Sequence, residues 1–165
     1  MKLILLNGPP GSGKSTLARR YADAHPPALA LDVDRVRAMI GGWRANPGEA
    51  GPLARDIAVA AARTHLTAGH DVVVPQLVAR PGFPERLEAL ARETGAAFHE
   101  FVLLPGLEVV RRRFEARDSE IETATPLSSA ELARSYAAVE AFAASRRARV
   151  LTGADAYEAL RTSLT

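Results

Sequence analysis

The chain has 165 residues, 47% hydrophobic and 24% charged, a mix that suits a soluble domain with a single core. Twenty-one basic and 19 acidic residues leave a net charge of +2, which argues against a dedicated nucleic-acid or membrane-surface protein. With no cysteine, disulfides, thiolate metal sites and a cysteine nucleophile are excluded, and the composition fits a cytoplasmic protein.

Lys2–Asn7 is an apolar run too short for a signal peptide, and its stop at Gly8 predicts a buried strand followed by a turn. Ser15–Ala24 has helical spacing at Leu17, Tyr21 and Ala24 and is closed by Pro26-Pro27. Ala28–Asp32 reads as a second strand, and Asp34–Ile40 as a short helix stopped by Gly41-Gly42. A polar Gly/Pro-rich stretch runs from Gly42 to Gly51, and Pro52 is expected in the first turn of a long helix ending near Gly69.

Asp71–Val74 predicts a third strand, Phe83–Thr94 a helix closed by Gly95, and Ala97–Leu104 a fourth strand. Leu107–Arg117 reads as a helix, followed by a polar segment to Pro126. Ser128-Ser129-Ala130-Glu131 has the form of a capping box, opening a helix to about Ser145. Arg149–Leu151 predicts a fifth strand and Ala154–Leu164 a last helix. Five strands alternating with helices predict an α/β fold of three layers, a parallel sheet covered on both faces. No linker divides residues 1–165, which are expected to form a single domain.

Gly8-Pro9-Pro10-Gly11-Ser12-Gly13-Lys14-Ser15 fits the phosphate-loop pattern G-x-x-x-x-G-K-[ST], with an apolar strand before it and a helix after it. A triphosphate needs many hydrogen-bond donors, and backbone N–H groups at a helix start supply them along the dipole. Pro9 and Pro10 have no N–H, so the donors are expected from Gly11, Ser12, Gly13, Lys14, Ser15 and Thr16. Gly8 allows the turn, Lys14 is expected at the β- and γ-phosphates, and the Ser15 hydroxyl suits a magnesium ion. ATP with Mg2+ is the expected ligand.

Further residues give the γ-phosphate a direction. Asp34 follows the second strand, where side chains of a parallel sheet face the ligand crevice. Its carboxylate suits a general base for an attacking hydroxyl; the bland alternative is a helix cap. Asp32 is the rival base, or a holder of magnesium through water. Arg37 either pairs with Asp34 at i,i+3 or lies beside the acceptor or the γ-phosphate. Arg113 and Arg117 share a helix face before the polar segment and either neutralise charge during phosphoryl transfer or form a solvated basic face. Trp43, the sole tryptophan, either stacks on a substrate ring or plugs its loop.

Together these residues resemble the small P-loop kinases with an adenylate-kinase-like core, within the AAA-like ATP-binding proteins. The resemblance is strongest to the chloramphenicol phosphotransferase and tunicamycin-resistance branch. It covers nearly the whole chain and rests on Gly8–Thr16, Asp34-x-x-Arg37 and Arg113-x-x-x-Arg117. It implies a sheet of order 2-3-1-4-5, a short lid at about residues 113–127, and transfer from ATP to a small-molecule hydroxyl such as an antibiotic or a nucleoside. It also implies that Asp34 is the base and that Arg113 and Arg117 are lid arginines. The Asp-x-x-Arg spacing is similar to that of polynucleotide kinases and zeta-type toxins as well. Many relatives end strand three with an aspartate; here Pro75-Gln76 stands there, leaving Gln76 to hydrogen-bond a substrate. A polynucleotide-end kinase and a non-transferring ATPase or nucleotide switch are the alternatives to a small-molecule phosphotransferase.

Overall fold

In the computed structural model, which describes residues 1–116, 127–146, 148–152 and 155–164, strand and helix alternate along the chain. β1 (Lys2–Asn7) leads to α1 (Lys14–Ala24), β2 (Leu29–Ala30) and α2 (Val33–Ala38). α3 (Pro47–Thr67), β3 (Val72–Gln76), α4 (Phe83–Thr94) and β4 (Ala97–Leu103) follow. α5 (Leu107–Glu115), α6 (Ser129–Arg146), β5 (Arg149–Leu151) and α7 (Ala156–Ser163) complete the described elements. The five strands form one parallel sheet in the order β2-β3-β1-β4-β5, the order that the resemblance implies.

The period-2 alternation of the central strands builds the layers. Leu3, Leu5, Val72 and Val74 face α3 and α4, whereas Ile4, Leu6 and Val73 face α1 and α7. α3 approaches the sheet closely because Ala50, Ala54, Ala58, Ala62 and Leu66 recur every fourth residue along its buried face. α6 closes the far side of β4 with Val139 and Ala143 against Val102 and Leu104. Its start is the expected capping box, with Ser128 N–H donating to Glu131 at 2.7 Å and Glu131 N–H to Ser128 Oγ at 3.2 Å.

Several boundaries differ from expectation, β2 (Leu29–Ala30) and α2 (Val33–Ala38) among them, and two of the differences have a direct cause. α3 begins at Pro47 rather than Pro52, because Pro47 already takes the first-turn position. Pro52 sits within the helix, and the loop before it shortens accordingly. β3 runs on through Pro75 to Gln76. Leu29 and Leu31 donate to Asp71 O and Val73 O, so alternate residues of β3 face β2. The next such residue is Pro75, where β2 has already turned away into α2, and its missing N–H leaves no partner unsatisfied.

Asn7 fixes the end of β1. Its side chain is fully buried and makes three hydrogen bonds: Oδ1 accepts from Gly8 N–H and Val78 N–H, and Nδ2 donates to Val78 O, each at 2.8 Å. One amide therefore joins the first residue of the phosphate loop to the segment after β3. On the face of the sheet covered by α4 and α6, Arg146 bonds Glu85, Glu88 and Glu100, the last only 9% exposed at its side chain. Burial pushes the Glu100 carboxyl above its ordinary value in spite of that guanidinium.

Asn7→Leu should cost about 3 kcal/mol in urea unfolding, since two N–H groups and a carbonyl lose their partner without gaining water. Arg146→Met should cost about 2 kcal/mol, the carboxylates being only partly buried. The raised Glu100 value has a defined sign. As pH rises from the ordinary carboxylate range toward the folded value, the unfolded chain ionises first and stability falls. Glu100→Gln should flatten that part of the stability–pH profile.

Candidate functional site

The loop between β1 and α1 is shaped by backbone freedom and close approach. Gly11 and Gly13 hold φ of 82° and 95°, a region that L side chains rarely adopt. A Cβ on Gly11 would lie 2.8 Å from Val110 O, and one on Gly8 would lie 2.6 Å from Ser12 Oγ. Ser12 N–H donates to Pro9 O at 3.2 Å, which tightens the turn. Lys14 is nearly buried, with Nζ donating to Pro9 O at 3.2 Å. No acidic residue occupies the first turn of α1, so its dipole faces the loop unopposed. Ser15 and Thr16 follow in that turn.

The carboxylates after β2 divide their tasks. Asp32, not Asp34, caps α2: its Oδ1 accepts Asp34 N–H at 3.0 Å. Its Oδ2 accepts the Ser15 hydroxyl at 3.1 Å, which brings the two expected magnesium-holding residues together. Asp34, relieved of capping, pairs with Arg37 at 3.3 Å. Arg37 also lies over the Trp43 ring at 4.8 Å, and Arg44 over the same ring at 4.4 Å. Asp34, Arg37 and Trp43 thus form one connected group, with Trp43 packed against guanidinium groups.

One cavity borders the loop, and a second lies beyond the end of β3. The first, of about 370 Å3, is lined by Ser12, Gly13, Thr16, Arg20, Arg113 and Tyr157 among others. The second, of about 550 Å3, is lined by Pro52, Arg55 and residues 76–83 with Arg86. Gln76 lines this second cavity, and its register partner on β1 is Asn7, at the edge of the loop. Its Oε1 is buried without a hydrogen-bond partner among the described residues. Trp43 is not among the residues lining either of these two cavities. Arg113 reaches from α5 to donate to Ser12 O at 3.3 Å. Arg117 and most of the expected lid lie outside the described residues.

Sequence reasoning missed two features of this region. Asn7 carries a local signal, a polar residue closing an apolar strand directly before the loop. The other is Arg20 over the Tyr157 ring at 3.9 Å, both lining the 370 Å3 cavity. These two residues stand on α1 and α7, and no sequence pattern links positions so far apart.

Similarity to known proteins bears on the fold and the family of the chain. A relative described as an uncharacterized protein of Mycobacterium tuberculosis is 31% identical over 153 residues, 86% of this chain and 30% of the relative. The chain therefore spans less than a third of the length of the curated relatives it matches. The tunicamycin resistance protein of Deinococcus radiodurans superposes with a TM-score of 0.62 at 20% identity, over 98% of this chain and 92% of that one. Shikimate kinase of Bacteroides thetaiotaomicron superposes with a TM-score of 0.64 at 19% identity, over 99% and 98% of the two chains. At these identities the likeness is one of fold. It is a kinase-like P-loop fold. The AAA domain family model matches residues 3–142, and this chain, with its phosphate loop between β1 and α1, belongs to that family.

Proposed function

We propose that the chain is an ATP-dependent phosphotransferase that moves the γ-phosphate to a hydroxyl of a small molecule such as an antibiotic or a nucleoside. The observation that supports this reading is a second cavity, of about 550 Å3, whose Gln76 pairs in register with Asn7 at the edge of the phosphate loop, in addition to the cavity lined by Ser12, Gly13 and Thr16. An ATPase or a nucleotide switch needs one ligand cavity. A transferase needs a second one within reach of the same phosphate.

The residues present fit both ATP and magnesium. A Cβ has no room at Gly8, where the loop folds back on Ser12, or at Gly11, where it packs on α5, so both positions keep the loop backbone tightly turned as a phosphate cradle requires. Ser15 Oγ and Asp32 Oδ2, 3.1 Å apart, are hard oxygen donors of the type magnesium accepts alongside water. Magnesium, when bound, supplies charge neutralisation on the phosphate oxygens. Lys14, released from Pro9 O, pairs with the β- and γ-phosphates, while N–H groups from Gly11 to Thr16 orient them. The 370 Å3 cavity takes the nucleoside, with Arg113 near the phosphates and Arg117 as a further lid cation.

Asp34 accepts the proton of the attacking hydroxyl, and Arg37 holds the carboxylate in place. The new bond forms between the acceptor oxygen and the γ-phosphorus, and the bond from that phosphorus to the β,γ-bridging oxygen breaks. The products are ADP and the phosphorylated acceptor. Gln76 Oε1 accepts a hydrogen bond from the acceptor, and Trp43 supports Arg37 through its ring. The large acceptor cavity does not call for nucleic acid or membrane, and a small molecule fills a space of this size.

Lys14→Ala should abolish productive ATP use, and unchanged turnover would remove the proposal. Asp34→Asn should keep nucleotide affinity by titration within about twofold while lowering kcat by roughly 100-fold or more. Loss of nucleotide binding in Asp34→Asn would instead make Asp34 a structural residue.

A further inference from the structure

The 550 Å3 cavity has a charge pattern that a neutral acceptor does not use. Arg55, Arg80 and Arg86 line it, and no carboxylate does. Arg86 is compensated by Asp56 at 2.7 Å, outside the lining. Arg55 and Arg80 form no ion pair among the described residues, in contrast to Arg37, Arg63, Arg111, Arg146 and Arg161. Two uncompensated guanidinium groups thus share one concave surface, where field lines converge.

The rest of the lining says what else the ligand carries. Pro52, Leu77, Val78 and Phe83 offer apolar contact for a carbon skeleton. The buried, unpartnered Gln76 Oε1 requires a donor such as a hydroxyl. The α4 N-terminus is already engaged, because Gly82 N–H donates to the Glu85 carboxylate. With that N–H taken and the Glu85 carboxylate at the helix start, the cationic groups of this lining are its guanidinium side chains. Guanidinium groups match carboxylate and phosphate oxygens in a fork geometry that a neutral sugar or alcohol does not exploit.

We infer that the acceptor is a small hydroxylated anion. Arg55 and Arg80 hold its carboxylate or phosphate, and Gln76, beside the phosphate loop, receives its hydroxyl. The inference rests on the phosphotransferase reading for the fate of that hydroxyl, but anion binding by this cavity stands independently of it.

The test is titration of the full chain, saturated with Mg-ADP so that the phosphate loop is occupied. The probes are gluconate, glycerate and glucose 6-phosphate, set against glucose and glycerol. At least one anion should bind tenfold or more tightly than its uncharged counterpart, and comparison of the acids with the sugar phosphate separates carboxylate from phosphate. The Arg55→Gln/Arg80→Gln variant should lose that preference by roughly tenfold or more, as expected for charge-assisted hydrogen bonds. Arg55→Glu/Arg80→Glu should abolish anion binding while leaving the far-ultraviolet spectrum and ADP affinity intact.

Equal binding of anions and uncharged probes would overturn the inference, as would an unaltered preference in either double variant. Tight binding of a 5′-hydroxyl oligonucleotide with no small anion bound would overturn it too. Phosphoryl transfer measured in parallel with ATP separates the two readings. Anion binding without transfer to any probe contradicts the phosphotransferase and sustains the anion site. Transfer confined to uncharged acceptors does the reverse.

Discussion

A single buried carboxamide holds the two halves of the site in register. Asn7 ends the central strand, and its oxygen accepts N–H groups from Gly8, on the phosphate loop, and Val78, on the wall of the 550 Å3 cavity. The same side chain returns a donor to Val78 O. With no water to compete, these bonds set the distance between the nucleotide loop and the 550 Å3 cavity. The proposed transfer between two ligands depends on that distance, since in-line displacement tolerates little error in position.

Asp32 performs the corresponding task on the other flank. By capping α2 and accepting the Ser15 hydroxyl, it ties the helix that carries Asp34 and Arg37 to the first turn of α1. Asp34 then uses its carboxylate on Arg37 rather than on the backbone. The proposed base is thereby carried on an element anchored to the phosphate loop, not on a free-standing loop. The guanidinium groups of Arg37 and Arg44 around Trp43 extend this anchoring toward α3.

The alternation of strands and helices and the phosphate loop were legible because each rests on local chemistry, whereas the sheet order was implied by the resemblance alone. Apolar period-2 runs end in Gly or Pro, and a G-x-x-x-x-G-K-S spacing stands between a strand and a helix. The start of α3 was misread because Pro47 and Pro52 carry the same first-turn signal, and only packing of the alanine face against the sheet chooses between them. The cap of α2 was placed on Asp34 as the bland reading. In the chain it is Asp32, since backbone geometry two residues earlier decides which carboxylate reaches the helix N–H. Asn7 was readable in principle, as a polar residue closing an apolar strand. The arginines of the acceptor cavity were not, because Arg55, Arg80 and Arg86 come from α3, a loop and α4, and only the fold brings them to one wall.

The central claim is that the phosphate held by Gly8–Thr16 passes to a second ligand rather than to water. Incubation of the full chain with γ-labelled ATP, magnesium and a panel of hydroxylated antibiotics, nucleosides, sugars, hydroxy acids and oligonucleotides, followed by mass analysis, tests it directly. The account predicts one small-molecule product that gains a phosphoryl group in step with ADP release, and no such product with Asp34→Asn. ATP consumption that is equal with and without every acceptor, with all label recovered as inorganic phosphate, would contradict it.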